Sequence, residues 1–138
     1  MPRKDTHHEA VVAALIHDGW TITDDPYTLS YQGNNVFVDL GAEKTLAATR
    51  EGRRIAVEIK SFLHASEIHD LKLAIGSYVL YRELMEAVEP ERELYLAIPQ
   101  HTWDGLFSHP VGQLILKTQN LKVIVFTPQN QRITQWWA

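Results

Sequence analysis

The sequence contains no cysteine. A disulfide framework and a thiolate metal site are therefore excluded, and any metal would have to be held by oxygen or imidazole. Long apolar runs are missing too: no stretch approaches the roughly 20 residues that span a bilayer. The opening MPRKDTHHEA lacks the apolar core of a secretory signal. No membrane association and a cytoplasmic location are the expectations. Positive charge is also in short supply, with 13 Lys and Arg against 17 Asp and Glu for a net −4. A protein that coats nucleic acid without regard to sequence would be basic. Repeats, linkers and low-complexity segments do not interrupt the chain. Residues 1–138 therefore read as a single domain, large enough to bury a core.

The charge that is present is unevenly placed. Between Lys44 and Lys60 five bases stand against two acids, whereas between Arg82 and Glu93 two bases stand against five acids. A phosphate polymer could meet the first surface but not the second. The alternative is a pair of ordinary solvated faces.

Local patterns predict the order helix, strands, helix, strand, helix, strand, strand. Asp5 can cap a helix to about Asp18, with Gly19 ending it and Val12, Leu15 and Ile16 as its apolar stripe. Residues 20–23 and 28–31 read as strands around the Asp25-Pro26 break, and QGNN turns into a strand over Val36–Leu40. There Val36, Val38 and Leu40 would face one side, and Phe37 and Asp39 the other. GAEKTLAATREG, residues 41–52, reads either as a short helix or as the outgoing arm of a hairpin, with Gly52 at the turn. Arg54–Phe62 is the next strand. Ser66 suits an N-cap for a helix to about Val88, striped by Leu71, Ile75, Tyr78, Arg82 and Met85. ELYLAIP follows as a buried strand, then HTWDGLF as a loop or short helix. Pro110 opens a helix to about Gln119. LKVIVFTP is a buried strand and RITQWW an edge strand. Short, continuously apolar strands imply a sheet covered on both faces. The fold class is α/β, a three-layer sandwich with a central mixed sheet flanked by helices.

One stretch carries more than structure. In VEIKSF, Ile59 and Val57 belong to an apolar face, while Glu58 and Lys60 share the other, because strand residues two apart point the same way. A charge on a central strand needs a reason. If the strand that carries Asp39 is a neighbour, Asp39 and Glu58 converge. Two adjacent carboxylates repel and commonly hold a cation. Hard oxygen ligands with open positions suit Mg²⁺, or Mn²⁺ in its place, and the Ile59 carbonyl between the two side chains could supply a further oxygen. Lys60 would hold the attacking water or stabilise charge at a phosphoryl transition state. The alternative for such a Glu-x-Lys is a solvated strand edge.

VDLGAEK followed by IAVEIKSF resembles the PD-(D/E)xK nuclease superfamily, which uses an Asp and a Glu-x-Lys on adjacent strands. The likeness is wider than that. DGWTITDDP, VDLGAEK, IAVEIKSF, YVLYRELM, ERELYLAIP and GQLILKTQNLKVIVF resemble the XisH family along nearly the whole chain. XisH proteins are cyanobacterial fdxN element excision controlling factors, linked to developmentally regulated excision of a DNA element and commonly accompanied by a small partner, XisI. The resemblance implies a restriction-endonuclease-like fold, with Asp39, Glu58 and Lys60 as the catalytic set and Glu9 as the acid that many members place on the first helix. DNA and a XisI-like protein, or a second copy of the chain, are the implied partners. Two departures stand out. Val38 occupies the place of the motif's Pro. A Gln-x-x-x-Tyr found in some branches falls on Ser77 to Tyr81, where the Gln is missing, against end-processing activity of that type.

Other residues are weaker. His7, His8 and Glu9 suggest a metal by type, but their spacing puts them on different helix faces. Asp24 and Asp25 read as turn formers. Glu43 follows the Asp39 strand and reads as exposed. Trp136 and Trp137 read as closing the core, with a partner anchor as the alternative. Two functions remain open: a Mg²⁺-dependent DNA phosphodiesterase acting in excision, or a regulatory factor that binds DNA or a partner and cuts nothing. In either case so short a chain has no separate target-reading domain, so specificity would come from a dimer or a partner.

Overall fold

The computed structural model describes residues 5–45 and 52–138. The first helix, α1 (His8–His17), begins three residues after Asp5. The N-cap is His7 rather than the expected Asp5; the Asp5 carboxylate instead accepts from the His7 amide at 2.9 Å and from both the amide and the hydroxyl of Ser61. The helix entry is thereby pinned to a distant part of the chain. Gly19 ends the helix at φ +94°, a left-handed conformation that glycine adopts without steric cost. The buried stripe is His8, Val11, Ala14 and Leu15. The expected stripe is thus displaced: Val12 is only partly buried and Ile16 is exposed.

β1 (Thr21–Asp24) and β2 (Tyr27–Tyr31) flank the expected break at Asp25-Pro26. β2 and β3 (Asn34–Val38) form a two-stranded sheet of their own. Gln32 and Gly33 between them both have positive φ, as a two-residue hairpin turn of the I′ class requires. The strand expected over Val36–Leu40 is in fact two. It breaks at Asp39, after which β4 (Leu40–Thr45) enters the large sheet. Val38 and Leu40 consequently lie in different cores rather than on one side. A single non-strand residue where the chain passes between sheets is enough to reset the alternation.

β4 pairs antiparallel with β5 (Gly52–Ile59), from Leu40↔Val57 to Thr45↔Gly52. Residues 41–45 are therefore the hairpin arm and not a helix, and Gly52 is the first residue of a strand. Residues 46–51, the rest of that ambiguous segment, lie outside the described residues. β5 stops at Ile59, so Lys60 and Phe62 sit just past the strand that was expected to contain them.

α2 (Glu67–Val88) has the predicted bounds and the predicted cap, with Ser66 Oγ accepting from the His69 amide at 3.2 Å. It buries Leu71, Ala74, Tyr78 and Met85. β6 (Glu93–Pro99), α3 (Gln100–Asp104), a 3-10 turn at Leu106–Ser108, α4 (Pro110–Thr118), β7 (Val123–Thr127) and β8 (Arg132–Trp137) complete the chain.

The large sheet has the order β1-β4-β5-β6-β7-β8. β5, β6 and β7 run parallel, and the outer pairs are antiparallel, so the sheet is mixed. One face carries α1 with Trp20 and Trp136. The other carries α2, α4 and the β2–β3 hairpin, which contributes Tyr27, Leu29 and Val38. This is the expected three-layer sandwich. Trp136 stacks on Trp20 at 5.6 Å between centroids and meets the edge of Tyr95 at 5.1 Å, while Trp137 rests on Trp103. Trp136 thus packs on the core over the edge strand as expected, whereas Trp137 is exposed. No helix among the described residues is long and apolar enough to cross a membrane.

Candidate active site

The last rung between β4 and β5 is Leu40↔Val57. One residue earlier, Asp39 has left the strand, and its Oδ2 accepts from the Ile59 amide at 2.8 Å. The side chain thus continues the ladder where the backbone stops, which is why Asp39 is anchored beside the end of β5. In an extended strand the Ile59 carbonyl leaves along the same edge as its amide.

Glu58 points to the α2 face, as Ala56 does, and is only 5% exposed. Its Oε1 has no hydrogen-bond partner among the described residues. Its Oε2 lies 3.5 Å from the Lys60 ammonium, which is about a third exposed. Burial, then repulsion from Asp39, pushes the Glu58 carboxyl up to about 8, against a smaller opposing pull from Lys60. Asp39 is raised as well, by burial, although the Ile59 amide, Glu58, His8 and Lys60 all act to lower it. Asp39 hinders the ionisation of Glu58 whereas Glu58 eases that of Asp39, so the two carboxyl groups interact directly and unequally. The sequence-predicted convergence of Asp39, Glu58 and Lys60 is present, at the C-terminal end of a parallel strand where α/β sheets commonly place their ligands.

Two neighbours were not foreseen in these roles. Tyr81 on α2 faces the pair. Its hydroxyl is pushed up to about 12 by burial and then by the charges of Glu58 and Asp39, so it keeps its proton at neutral pH. It is the Tyr of the Ser77 to Tyr81 register, and it interacts with Ser77. The second is His8, 3% exposed on α1, which lies within electrostatic reach of Asp39 and whose Nε2 lies 2.8 Å from Asp25 Oδ1. Its position in the buried stripe of α1 was the available signal, hidden by its polar type. Glu9 lies on the exposed side of that helix. It does not form a three-acid cluster with Asp39 and Glu58: among the described residues no three His, Cys, Asp or Glu side chains converge as a metal site. Glu43 is exposed, as expected. Asp24 belongs to β1 rather than to the turn.

The charge segregation read from the sequence does not survive folding. Arg53 bonds to Glu93 at 3.2 Å, and Arg54 bonds to Glu91 at 3.0 Å and lies 3.6 Å from Glu89. The basic and acidic stretches thus meet across the β5–β6 edge and pair with each other. Of the described bases from Lys44 to Lys60, Lys60 is the one placed beside Glu58.

A family model described as XisH protein matches residues 1–134. The chain is similar to the crystal structure of an XisH family protein from Nostoc punctiforme, with 36% identity, a TM-score of 0.88, and coverage of 97% of this chain and 100% of that one. It is also similar to the crystal structure of a fdxN element excision controlling factor protein from Anabaena variabilis, with 40% identity, a TM-score of 0.86, and coverage of 96% and 98%. No curated protein matches significantly.

Proposed function

The chain belongs to the XisH family, and we propose that it controls excision of a DNA element, acting as a Mg²⁺-dependent DNA phosphodiesterase of the PD-(D/E)xK type. The observation that carries this reading is the buried Glu58 carboxyl, with one oxygen unpartnered among the described residues, beside a second carboxyl and an ammonium. A fold has no stability reason to bury that group. A hard divalent cation would satisfy it.

The residues present fit such an ion. Asp39, Glu58 and the Ile59 carbonyl would hold Mg²⁺ or Mn²⁺, and water would complete the shell, as Mg²⁺ prefers. When bound, the ion supplies charge neutralisation at the phosphate and an acidified water. The protein's own groups do the rest. The Ile59 amide holds Asp39 in place. Lys60, anchored through its backbone amide to the Ala97 carbonyl at 3.0 Å, presents its ammonium to the attacking water or to a phosphate oxygen. Tyr81 remains a neutral phenol that can donate to the same region. A partner, either a XisI-like protein or a second copy, would supply the target reading that a single small domain lacks.

The second reading, a factor that binds DNA or a partner without cutting, is favoured by one observation. With Glu58 held up to about 8, the metal-free site at neutral pH is short of the negative charge that attracts a cation. Single-turnover assays on supercoiled, linear, single-stranded and branched DNA, with Mg²⁺ or Mn²⁺ and with or without a XisI-like partner, separate the two. The nuclease reading expects cleavage that Asp39→Ala abolishes, together with calorimetric Mn²⁺ binding that the same substitution removes. A wild type that cuts none of these substrates leaves the non-catalytic reading in its place.

A further inference from the structure

The segment after β5 is neither helix nor strand, yet it is held at successive residues. The Lys60 amide donates to the Ala97 carbonyl, and Ser61 is tied to Asp5 through its amide and hydroxyl. Phe62 is buried edge-on against Phe107 with a left-handed φ of +54°. A residue other than glycine keeps that conformation only where its surroundings over-determine it. Two residues later the His64 amide donates to Asp70 Oδ2 at 3.1 Å, and His64 Nδ1 lies 2.6 Å from Asp70 Oδ1. A carboxylate only accepts, so Nδ1 carries a proton toward Asp70, and the outward-facing Nε2 donates to an anion when the ring holds its second proton.

The two partners differ in exposure. The Asp70 side chain is 7% exposed and that of His64 is 75% exposed. A buried carboxylate therefore orients a ring that adds little to the core. An exposed side chain held in one rotamer loses entropy without gaining burial, and such a group is better explained by what it meets outside the protein. His64 and Asp70 line a cavity of about 260 Å³ together with Lys60, Ser61 and Asp5. Both acids in that cavity are engaged, Asp5 by Ser61 and the His7 amide, Asp70 by His64. Among the described residues that line it, the donors that can face an anion are the Lys60 ammonium, the Thr6 hydroxyl and the outer edge of the His64 ring.

We propose that His64, oriented by Asp70 and protonated on both ring nitrogens in the complex, binds a backbone phosphate of duplex DNA beside the phosphate at Lys60, with Nε2–H donating to a phosphate oxygen. The proposal rests on the reading of Lys60 as the phosphate-side residue, because that fixes where the duplex lies. His64 is a positioning contact on the strand and takes no part in the bond cleavage.

The test separates the two ring nitrogens. His64→Asn keeps a donor for Asp70 and removes everything at the Nε2 position. His64→Gln reaches the Nε2 position with an amide donor. Binding of short fluorescent duplexes is followed by anisotropy in EDTA, where no metal-dependent cutting occurs, alongside thermal unfolding of each variant. His64→Asn is expected to weaken binding about tenfold, to the same extent on unrelated sequences because a phosphate carries no sequence information, with its unfolding temperature unchanged. His64→Gln is expected to stay close to wild type. The proposal is overturned if His64→Asn binds as tightly as wild type, or if both variants weaken binding alike. Metal-dependent cleavage by the same preparations keeps the two ideas apart. A wild type that binds and never cuts, with binding lost in His64→Asn, refutes the phosphodiesterase and leaves the phosphate contact. A wild type that cuts, with His64→Asn binding equally well, does the reverse, and a wild type that binds no duplex refutes the phosphate contact while the phosphodiesterase is decided by the cleavage panel.

Discussion

Replacing Glu58 by Gln should change the pH dependence of stability more than any other single substitution at the site. The Glu58 carboxyl has an ordinary value near 4.5 and is held up to about 8 in the folded protein by burial and by Asp39. A folded-state pKa above the unfolded one means that the native protein binds the proton more tightly. The stability linked to that proton is fully present below about 4.5, declines as pH rises, and is gone above about 8. The full difference is worth about 5 kcal/mol, and about 3 kcal/mol of it is lost by pH 7. The amide in Glu58→Gln cannot ionise, so the variant has no such loss. Urea denaturation of both proteins in EDTA, at intervals from pH 4.5 to pH 8, reads the effect directly. The variant's advantage over wild type should grow across that window by several kcal/mol, equivalent to a shift on the order of 10 °C in unfolding temperature. Added Mg²⁺ at pH 8 should then restore stability to wild type and not to Glu58→Gln, since only the carboxylate can hold the ion. Parallel stability curves for the two proteins would refute the argument, for they would mean that Glu58 ionises in the fold as freely as in water.

Lys60→Ala should keep or slightly raise Mn²⁺ affinity by calorimetry, because a cation has been removed from beside Glu58, while any cleavage falls by about 100-fold or more; Lys60→Arg should rescue it poorly, since a planar fork does not replace a compact ammonium. Gly112→Ala would drive a methyl group into the Leu106 carbonyl oxygen and to 2.6 Å from Phe107 Cα, so it should destabilise by about 3 kcal/mol or more in thermal or urea unfolding; an unchanged midpoint would show that α4 and the preceding turn can separate freely. Trp136→Ala removes the stacking partner of Trp20 and the edge partner of Tyr95 and should cost roughly 2 to 4 kcal/mol, measured by the same unfolding, whereas a folded Trp136→Ala/Trp137→Ala protein should still co-purify with a XisI-like partner if these rings serve the core.

Elements with local signals are legible in the amino-acid order alone. Ser66 and the stop before Pro90 bound α2, Pro110 opens α4, and the short apolar runs of β6 and β7 announce a sheet buried on both faces. Each depends on neighbours a few residues away. The Glu58 and Lys60 pairing was legible for the same reason, since residues two apart on a strand share a face, and the pair survives although β5 ends between them. The remaining features required the folded chain. The break at Asp39 follows from the chain changing sheets, which no alternation of types can reveal. His8 looks polar and exposed in the sequence, and its burial on α1, within reach of Asp39, depends on strands that α1 packs against, β8 among them. The basic and acidic stretches looked like separate surfaces until the β5–β6 pairing brought Arg53 and Arg54 against Glu93, Glu91 and Glu89. The energy of a charge depends on what lies within a few ångströms of it in space, and that neighbourhood exists only once the strands have found their order.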